Sequence, residues 1–265
     1  MVELIHKEVT RKIIGTYYRA YNRLGNTYPE RIYENAMMWL IQQQGVECIR
    51  QAEYEVRYKN RIVGRQRLDL FVADTVVVEL KVAPQVEPIH LAQLVSYMKT
   101  LDKQVGLLFR FGGPKPEFVR RVLTAPSWSD TLHPRFVASS ETDTLLYPEF
   151  THEILGGALD VFKHLGPGYI HRLYANACFQ ELQMRGLPII PHREFHVFWD
   201  EKDLGIIKFK HIQLDKKVLL FPVALSDVNN LRITNLKAWM RYLNIPIGII
   251  INFQTTWLEP MILRI

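Results

Sequence analysis

The sequence predicts an α/β protein built from two tandem copies of one domain, each a small mixed sheet flanked by helices. Three observations carry that expectation. Landmark residues recur in one order about 141 positions apart, each copy passes from helical periodicity into alternating strand patterns, and a polar, proline-bearing stretch separates the copies. Gly25-Asn-Thr-Tyr-Pro-Glu-Arg-Ile-Tyr-Glu-Asn-Ala matches Gly166-Pro-Gly-Tyr-Ile-His-Arg-Leu-Tyr-Ala-Asn-Ala, and Val63-Gly64 matches Leu204-Gly205 at the same offset. One residue of slip then aligns Ala92–Met98 with Thr234–Met240, and Val105-Gly106 with Ile247-Gly248. A repeat this long duplicates a whole domain, giving domains at 1–125 and 150–265 joined by a linker at 126–149.

In the first copy, Ile5, Val9, Ile13, Tyr17, Ala20 and Leu24 recur at helical spacing and predict a helix over Glu3–Leu24. A second helix, Pro29–Gln44, opens on a proline suited to the first turn and stops at Gly45. Alternation then predicts strands Ala52–Tyr58, Ile62–Val72 and Thr75–Val82, with tight turns at Lys59-Asn60 and Ala73-Asp74. A helix at Pro88–Leu101, a buried strand at Gln104–Phe111 and a closing helix at Glu117–Val122 complete the copy. Pro126, Ser127, Ser129, Pro134, Ser139, Ser140 and Thr142 mark the linker.

Composition narrows the class. With 48% hydrophobic and 23% charged residues in 265, wholesale disorder is excluded. Cys48 and Cys178 supply neither a disulfide framework nor zinc spacing, which suits a reducing compartment. Met1–Gly15 lacks the apolar core of a signal peptide, and the runs at Val105–Phe109 and Ile245–Phe253 are too short to span a bilayer, so a cytoplasmic protein away from membranes is expected. The net charge of +6 is evenly spread: 20 Lys/Arg oppose 17 Asp/Glu up to Glu149, and 13 oppose 10 beyond it. That balance permits a polyanionic partner without requiring one.

The chemistry concentrates in Arg67-Leu-Asp-Leu-Phe-Val-Ala-Asp-Thr-Val-Val-Val-Glu-Leu-Lys. A hairpin centred on Asp74 pairs residues whose numbers sum to 148, so Asp69 faces Glu79 and Lys81 shares their face. Directly opposed side chains have Cβ atoms about 4.5–5.5 Å apart, and two facing carboxylates repel unless a cation lies between them. Oxygen ligands at this density suit Mg²⁺ or Mn²⁺. Leu68, Leu70, Val76, Val78 and Leu80 are expected to alternate onto the opposite, apolar face. A chance Asp, Glu and Lys on a solvated strand is the bland alternative.

These residues, with their neighbours, resemble the PD-(D/E)XK nuclease superfamily, and within it the GxxExxY family. The resemblance runs nearly end to end in each copy. Glu30-Arg-Ile-Tyr33 supplies the ExxY element, Asp69 the first acid, Glu79-Leu-Lys81 the E-x-K, and Gln93-Leu-Val-Ser-Tyr97 the Q-xxx-Y helix. The family's leading glycine falls at Thr27, a departure. The resemblance implies a Mg²⁺- or Mn²⁺-dependent nuclease acting on nucleic acid, DNA ahead of RNA. Asp69, Glu79 and Glu30 would be the metal ligands, Lys81 would stabilise charge or orient the attacking water, and Gln93 and Tyr97 would face the site. The alternative is an inactive nucleic-acid-binding or assembly module on the same fold.

The second copy has lost the set. Alignment places His171 at Glu30, Lys210 at Asp69, Leu220 at Glu79, Pro222 at Lys81 and Asn235 at Gln93, while Gly168, Tyr174, Gly205 and Gly248 keep the scaffold. The tandem copies would imitate a dimer, with a further homo-oligomer possible in principle. Arg65 and Arg67, on the Asp69 face, are candidate phosphate contacts. Arg120-Arg121 and Lys216-Lys217 read as solvated faces. His192 and His196 have no third ligand nearby and read as exposed strand histidines rather than a zinc site. Trp39, Phe118, Trp239 and Tyr242 are assigned to cores or a domain interface.

Overall fold

A computed structural model of the chain describes residues 5–123, 146–225, 227–255 and 257–265. It divides into two compact units, Met1–Val56 with Arg65–Ser127 and Arg57–Gly64 with Trp128–Ile265.

The first unit contains α1 (Lys7–Leu24), α2 (Glu30–Gln42), β1 (Cys48–Arg50), β2 (Glu53–Tyr58), β3 (Arg61–Arg67), β4 (Leu70–Val72), β5 (Val76–Lys81), α3 (Pro88–Thr100), β6 (Val105–Arg110) and β7 (Glu117–Val122). The tip of the β2–β3 ribbon is grouped with the second unit, where the Tyr58 hydroxyl donates to the Glu181 carboxylate at 2.8 Å. The main sheet runs β1-β4-β5-β6-β7, with only β5 and β6 parallel because α3 carries the chain across between them. One face packs Ile13, Tyr17, Tyr33 and Met37 of α1 and α2 against Leu70, Val76, Val78 and Leu107. The other packs Leu94, Tyr97 and Met98 of α3 against Phe71, Val77 and Leu108. Burial on both faces explains why β5 is apolar nearly throughout.

The second unit repeats this plan with α4 (Pro148–Leu165), α5 (His171–Met184), β8 (Ile189–Trp199), β9 (Lys202–Leu214), β10 (Val218–Val223), α6 (Ile233–Leu243), β11 (Ile247–Asn252) and β12 (Pro260–Arg264). Its sheet runs β8-β9-β10-β11-β12, and again only the two strands joined through a helix, β10 and β11, are parallel. Gly106 and Gly248 mark the same spot in each copy: an added Cβ would lie 2.4 Å from Met98 Sδ in one and 2.7 Å from Met240 Sδ in the other.

Several expectations change. Glu117–Val122 is an edge strand, not a closing helix: it pairs with β6 along its whole length, and so short a segment gains more from that ladder than from an isolated helical turn. Ile62–Val72 is two strands, because the chain leaves the β2–β3 ribbon at Leu68-Asp69 before joining the main sheet. Leu68 therefore packs with α3 rather than with Leu70. Pro29 is the residue preceding α2 rather than its first turn. Most of the expected linker lies outside the described residues, and α4 already begins at Pro148. Trp239 and Phe118 join cores, whereas Trp39 and Tyr242 are exposed. His192 and His196 are half-buried, engaged by Gln213 (3.0 Å) and Asp203 (2.6 Å) respectively.

The loop entering α2 is held by Tyr33, whose hydroxyl accepts from Tyr28 N–H (3.1 Å) and donates to Gly25 C=O (2.9 Å). Tyr174 does the same with Tyr169 (3.2 Å) and Gly166 (2.6 Å). Gly168 adopts φ +115°, a conformation its counterpart Thr27 does not share, so the two loops differ there. Tyr33→Phe should lower unfolding free energy by about 1–2 kcal/mol in urea titrations, as should Tyr174→Phe, because each strands a buried donor and acceptor.

Candidate metal-binding and catalytic site

The β4–β5 register pairs Leu70 with Val78, Phe71 with Val77 and Val72 with Val76, the pairing expected from a turn centred on Asp74. Ala73 and Asp74 both have positive φ, the hand a tight hairpin requires. One step past the ladder, Asp69 occupies the break between β3 and β4. Its carbonyl accepts from Gln51 N–H (3.0 Å), and its Oδ2 accepts from Leu80 N–H (2.7 Å). The break gives Asp69 a backbone anchor on each neighbouring strand.

Helix α2 brings two further acids. Glu30 starts the helix, and Glu34 follows one turn later on the same face. Oxygen atoms of Glu30, Glu34 and Asp69 all lie within 4.8 Å of one another. Glu34 was not among the residues singled out from the sequence, although its i+4 spacing from Glu30 was the available signal. It is 4% exposed and accepts from Arg50 (3.0 Å) and Gln51 Nε2 (2.6 Å). Glu79, 1% exposed, turns instead to Lys81, whose Nζ lies 2.6 Å from Glu79 Oε1 and 3.9 Å from Glu30 Oε1. Glu79 Oε1 thus meets the Lys81 ammonium as an ion pair, while Oε2 has no hydrogen-bond partner among the described residues.

Burial dominates the electrostatics. It pushes Asp69 up to about 6, partly offset by the Leu80 N–H and Lys81. Burial, then the Asp69 charge, pushes Glu79 up to about 8, with Lys81 pulling the other way. Lys81 is drawn down by burial but raised overall by Glu79, and stays protonated. On α3, Gln93 Nε2 donates to the Tyr97 hydroxyl (2.8 Å), which donates to Arg67 C=O (3.0 Å). The helix thereby pins the backbone next to the break. The side chains of Arg65 and Arg67 are solvent-exposed on β3, with Arg65 3.8 Å from Glu55. His90, also absent from the sequence-derived set, is pulled below its ordinary value by burial and then by Lys81.

Chemically, Glu30, Glu34 and Asp69 are an all-oxygen donor set suited to a hard divalent cation. In an octahedral Mg²⁺ shell the ligand oxygens stand about 3–4 Å apart, so modest side-chain movement closes this cluster on an ion. The unpartnered Oε2 of Glu79 beside it points the same way, since a buried carboxylate oxygen without a partner is otherwise unfavourable. The donor set fits a metal.

The second unit replaces the whole constellation, through different pairs than the alignment placed. Phe111 N–H donates to Lys81 C=O (2.8 Å) in one unit, and Phe253 N–H to Val223 C=O (2.9 Å) in the other. Leu70 pairs with Val78 as Ile212 pairs with Leu220. The one-residue slip therefore falls before β4, not after β5. Asp69 corresponds to His211 rather than Lys210, Glu79 to Phe221 rather than Leu220, and Lys81 to Val223 rather than Pro222. Phe221 and Val223 belong to the apolar core. Glu34 corresponds to Ala175, and His171 remains the counterpart of Glu30. Among the described residues, the acidic cluster of the first unit is the one group of three placed to hold a metal ion.

A family model for the PD-(D/E)XK nuclease superfamily matches residues 7–122 and again 148–265. Neither a curated protein nor a solved structure matches the chain at a significant level. Among the described residues, no helix is long and apolar enough to cross a membrane.

Because Glu79 holds its proton to higher pH in the folded protein than its ordinary value of 4.5, the folded state binds more protons between about pH 4.5 and 8. Metal-free stability therefore falls as pH rises through that window. Glu79→Gln should raise it by about 1–2 kcal/mol at pH 8, with the gain gone below pH 4.5. Thermal unfolding in EDTA across that range checks the slope, and an equal gain at every pH would contradict it.

Proposed function

The chain belongs to the PD-(D/E)XK nuclease superfamily, and from that premise we propose that its first copy is a metal-dependent nuclease hydrolysing phosphodiester bonds, with DNA ahead of RNA as substrate. One observation carries the reading. Glu30, Glu34, Asp69, Glu79 and Lys81 stand together in one copy, while His171, Ala175, His211, Phe221 and Val223 stand in their places in the other.

Glu30, Glu34 and Asp69 would hold Mg²⁺ or Mn²⁺, with Glu79 close behind. When bound, the ion supplies a water of lowered pKa and neutralises charge on the scissile phosphate. Lys81 offers its protonated Nζ to the phosphoryl oxygens, and Glu79 fixes that ammonium at the mouth of the cluster. Tyr97, oriented by Gln93, stiffens the segment that presents Asp69. The exposed Arg65 and Arg67 would meet backbone phosphates along the strand leading into the site, Arg65 by exchanging its contact with Glu55. Placement in the GxxExxY branch is supported by Glu30 and Tyr33 at the start of α2, and by Gly168 and Tyr174 at matching points of the second copy. Two buried free thiols, Cys48 and Cys178, suit a cytoplasmic setting.

The test is cleavage of DNA and RNA substrates with Mg²⁺ or Mn²⁺. Asp69→Ala, Glu79→Ala and Lys81→Ala should each reduce the rate by about 10²–10⁴-fold. Glu34→Ala should raise the metal concentration needed for half-maximal rate by about tenfold. A wild-type protein that binds nucleic acid but cleaves no substrate with either ion would leave a binding module and remove the enzyme reading.

A further inference from the structure

The second unit keeps a cavity where the first unit keeps its acids. Ala175 and His211, counterparts of Glu34 and Asp69, line a pocket of about 320 Å³ together with Asn176, His192, Arg193 and Lys210. The charge of this place has changed sign. No acid survives at the three cluster positions, while Arg193 stands where the first copy has Ala52 and Lys210 where it has Leu68. Arg172, outside the pocket lining, adds a third cation nearby. It and Arg193 lie close enough to Lys210 to act on its ammonium, which burial first and then these guanidiniums hold below the ordinary lysine range.

No carboxylate answers these cations. Among the described residues, Arg172, Arg193 and Lys210 form no ion pair, and Lys210 Nζ donates to the neutral amide oxygen of Asn176 at 2.7 Å. That bond orients the ammonium without neutralising it. Gathering like charges beside a pocket is unfavourable unless an anion joins them. The histidines do not convert the pocket into a metal site. His211 Nε2 accepts from Trp239 Nε1–H (2.7 Å) and its Nδ1 faces the Phe209 carbonyl (3.2 Å), so both ring nitrogens are engaged. His192 lies parallel to it at 4.8 Å and is itself bonded to Gln213, forming a wall beside the cations.

We propose that this pocket of the second copy binds a phosphoryl group, held by Arg193 and Lys210 in the place where the first copy carries its acids. A guanidinium fork and an ammonium match the several acceptor oxygens of such an anion. The volume is about ten times a water molecule's share of the liquid, leaving room for a sugar attached to the phosphate. The ligand is a phosphate monoester, free phosphate or a phosphodiester of nucleic acid, which share this chemistry. The site works without metal and does not depend on cleavage by the first copy.

The experiment measures binding of a labelled short single-stranded oligonucleotide to the full chain in EDTA at fixed salt, by fluorescence anisotropy. One probe carries a 5′-phosphate, a second lacks it, and inorganic phosphate serves as competitor. Arg193→Ser and Lys210→Met should each weaken binding at least tenfold with unfolding midpoints unchanged, while Lys216→Ser, on an exposed turn, should change it less than twofold. Displacement by inorganic phosphate, or preference for the 5′-phosphorylated probe, identifies a terminal or free phosphate. Equal binding of both probes without displacement identifies the backbone phosphodiester. Absent binding by the wild type, unchanged binding in Arg193→Ser and Lys210→Met, or an equal loss in Lys216→Ser would each overturn the proposal.

Discussion

Four carboxylates, those of Glu30, Glu34, Asp69 and Glu79, are drawn into one corner of the first unit with Lys81 and Arg50 as the cations in contact with them. Three of the four are almost fully buried, and for Asp69 and Glu79 desolvation acts against the charged form more strongly than the neighbours support it. Much of the local architecture serves to keep that arrangement in place. The strand break at Leu68-Asp69 aims Asp69 at the Leu80 amide, and α3 braces the break through Tyr97 and the Arg67 carbonyl. Tyr33, between Glu30 and Glu34 on α2, stacks on Phe111 at 3.9 Å, and Phe111 is bonded through its amide to Lys81. Helix, strand end and lysine are thus tied into one rigid corner.

The second unit keeps the ties and discards the charges. Tyr174 stacks on Phe253 at 4.4 Å, and Phe253 is bonded to Val223 as Phe111 is to Lys81. What those bonds position is now apolar: Phe221 and Val223 fill the α6 side of the sheet beside Trp239. Trp239, at the place of Tyr97, donates to His211, at the place of Asp69, and burial holds that histidine at about 4, hence neutral. Where the first unit has a tyrosine and an aspartate, the second has a tryptophan–histidine pair bonded to each other.

The parts of this picture that were legible in the sequence are those governed by short-range periodicity. The hairpin turn at Asp74 set the register, so the Leu70–Val78 pairing that leads up to Asp69 and Glu79 followed from counting, and the one-turn spacing of Gln93 and Tyr97 placed them on one face of α3. What escaped depended on tertiary choices. Glu117–Val122 carries no decisive period and becomes a strand because β6 offers an open edge. Leu68 continues the alternation on paper but changes sides at a break that local sequence does not announce. Glu34 was visible by spacing, yet its burial comes from Arg50 and Gln51, contributed by the strand end that follows. The slip between copies falls before β4 rather than after β5, a difference hidden in the sequence because apolar strands align almost equally well in two frames, whereas backbone hydrogen bonds admit only one.

The two units together separate what holds the fold from what serves chemistry. Sheet order, the parallel pair, the glycine beneath the crossover helix and the tyrosine-bound loop are common to both, so none of them requires a carboxylate. A phenylalanine at the position of Glu79 gains from burial what a glutamate there loses to desolvation. The acids are therefore not present in the first unit to stabilise it. The unpartnered oxygen of Glu79, the raised proton affinities of Asp69 and Glu79 and the lysine shared with Glu30 set this corner apart from that of the second unit, which keeps the same scaffold without them.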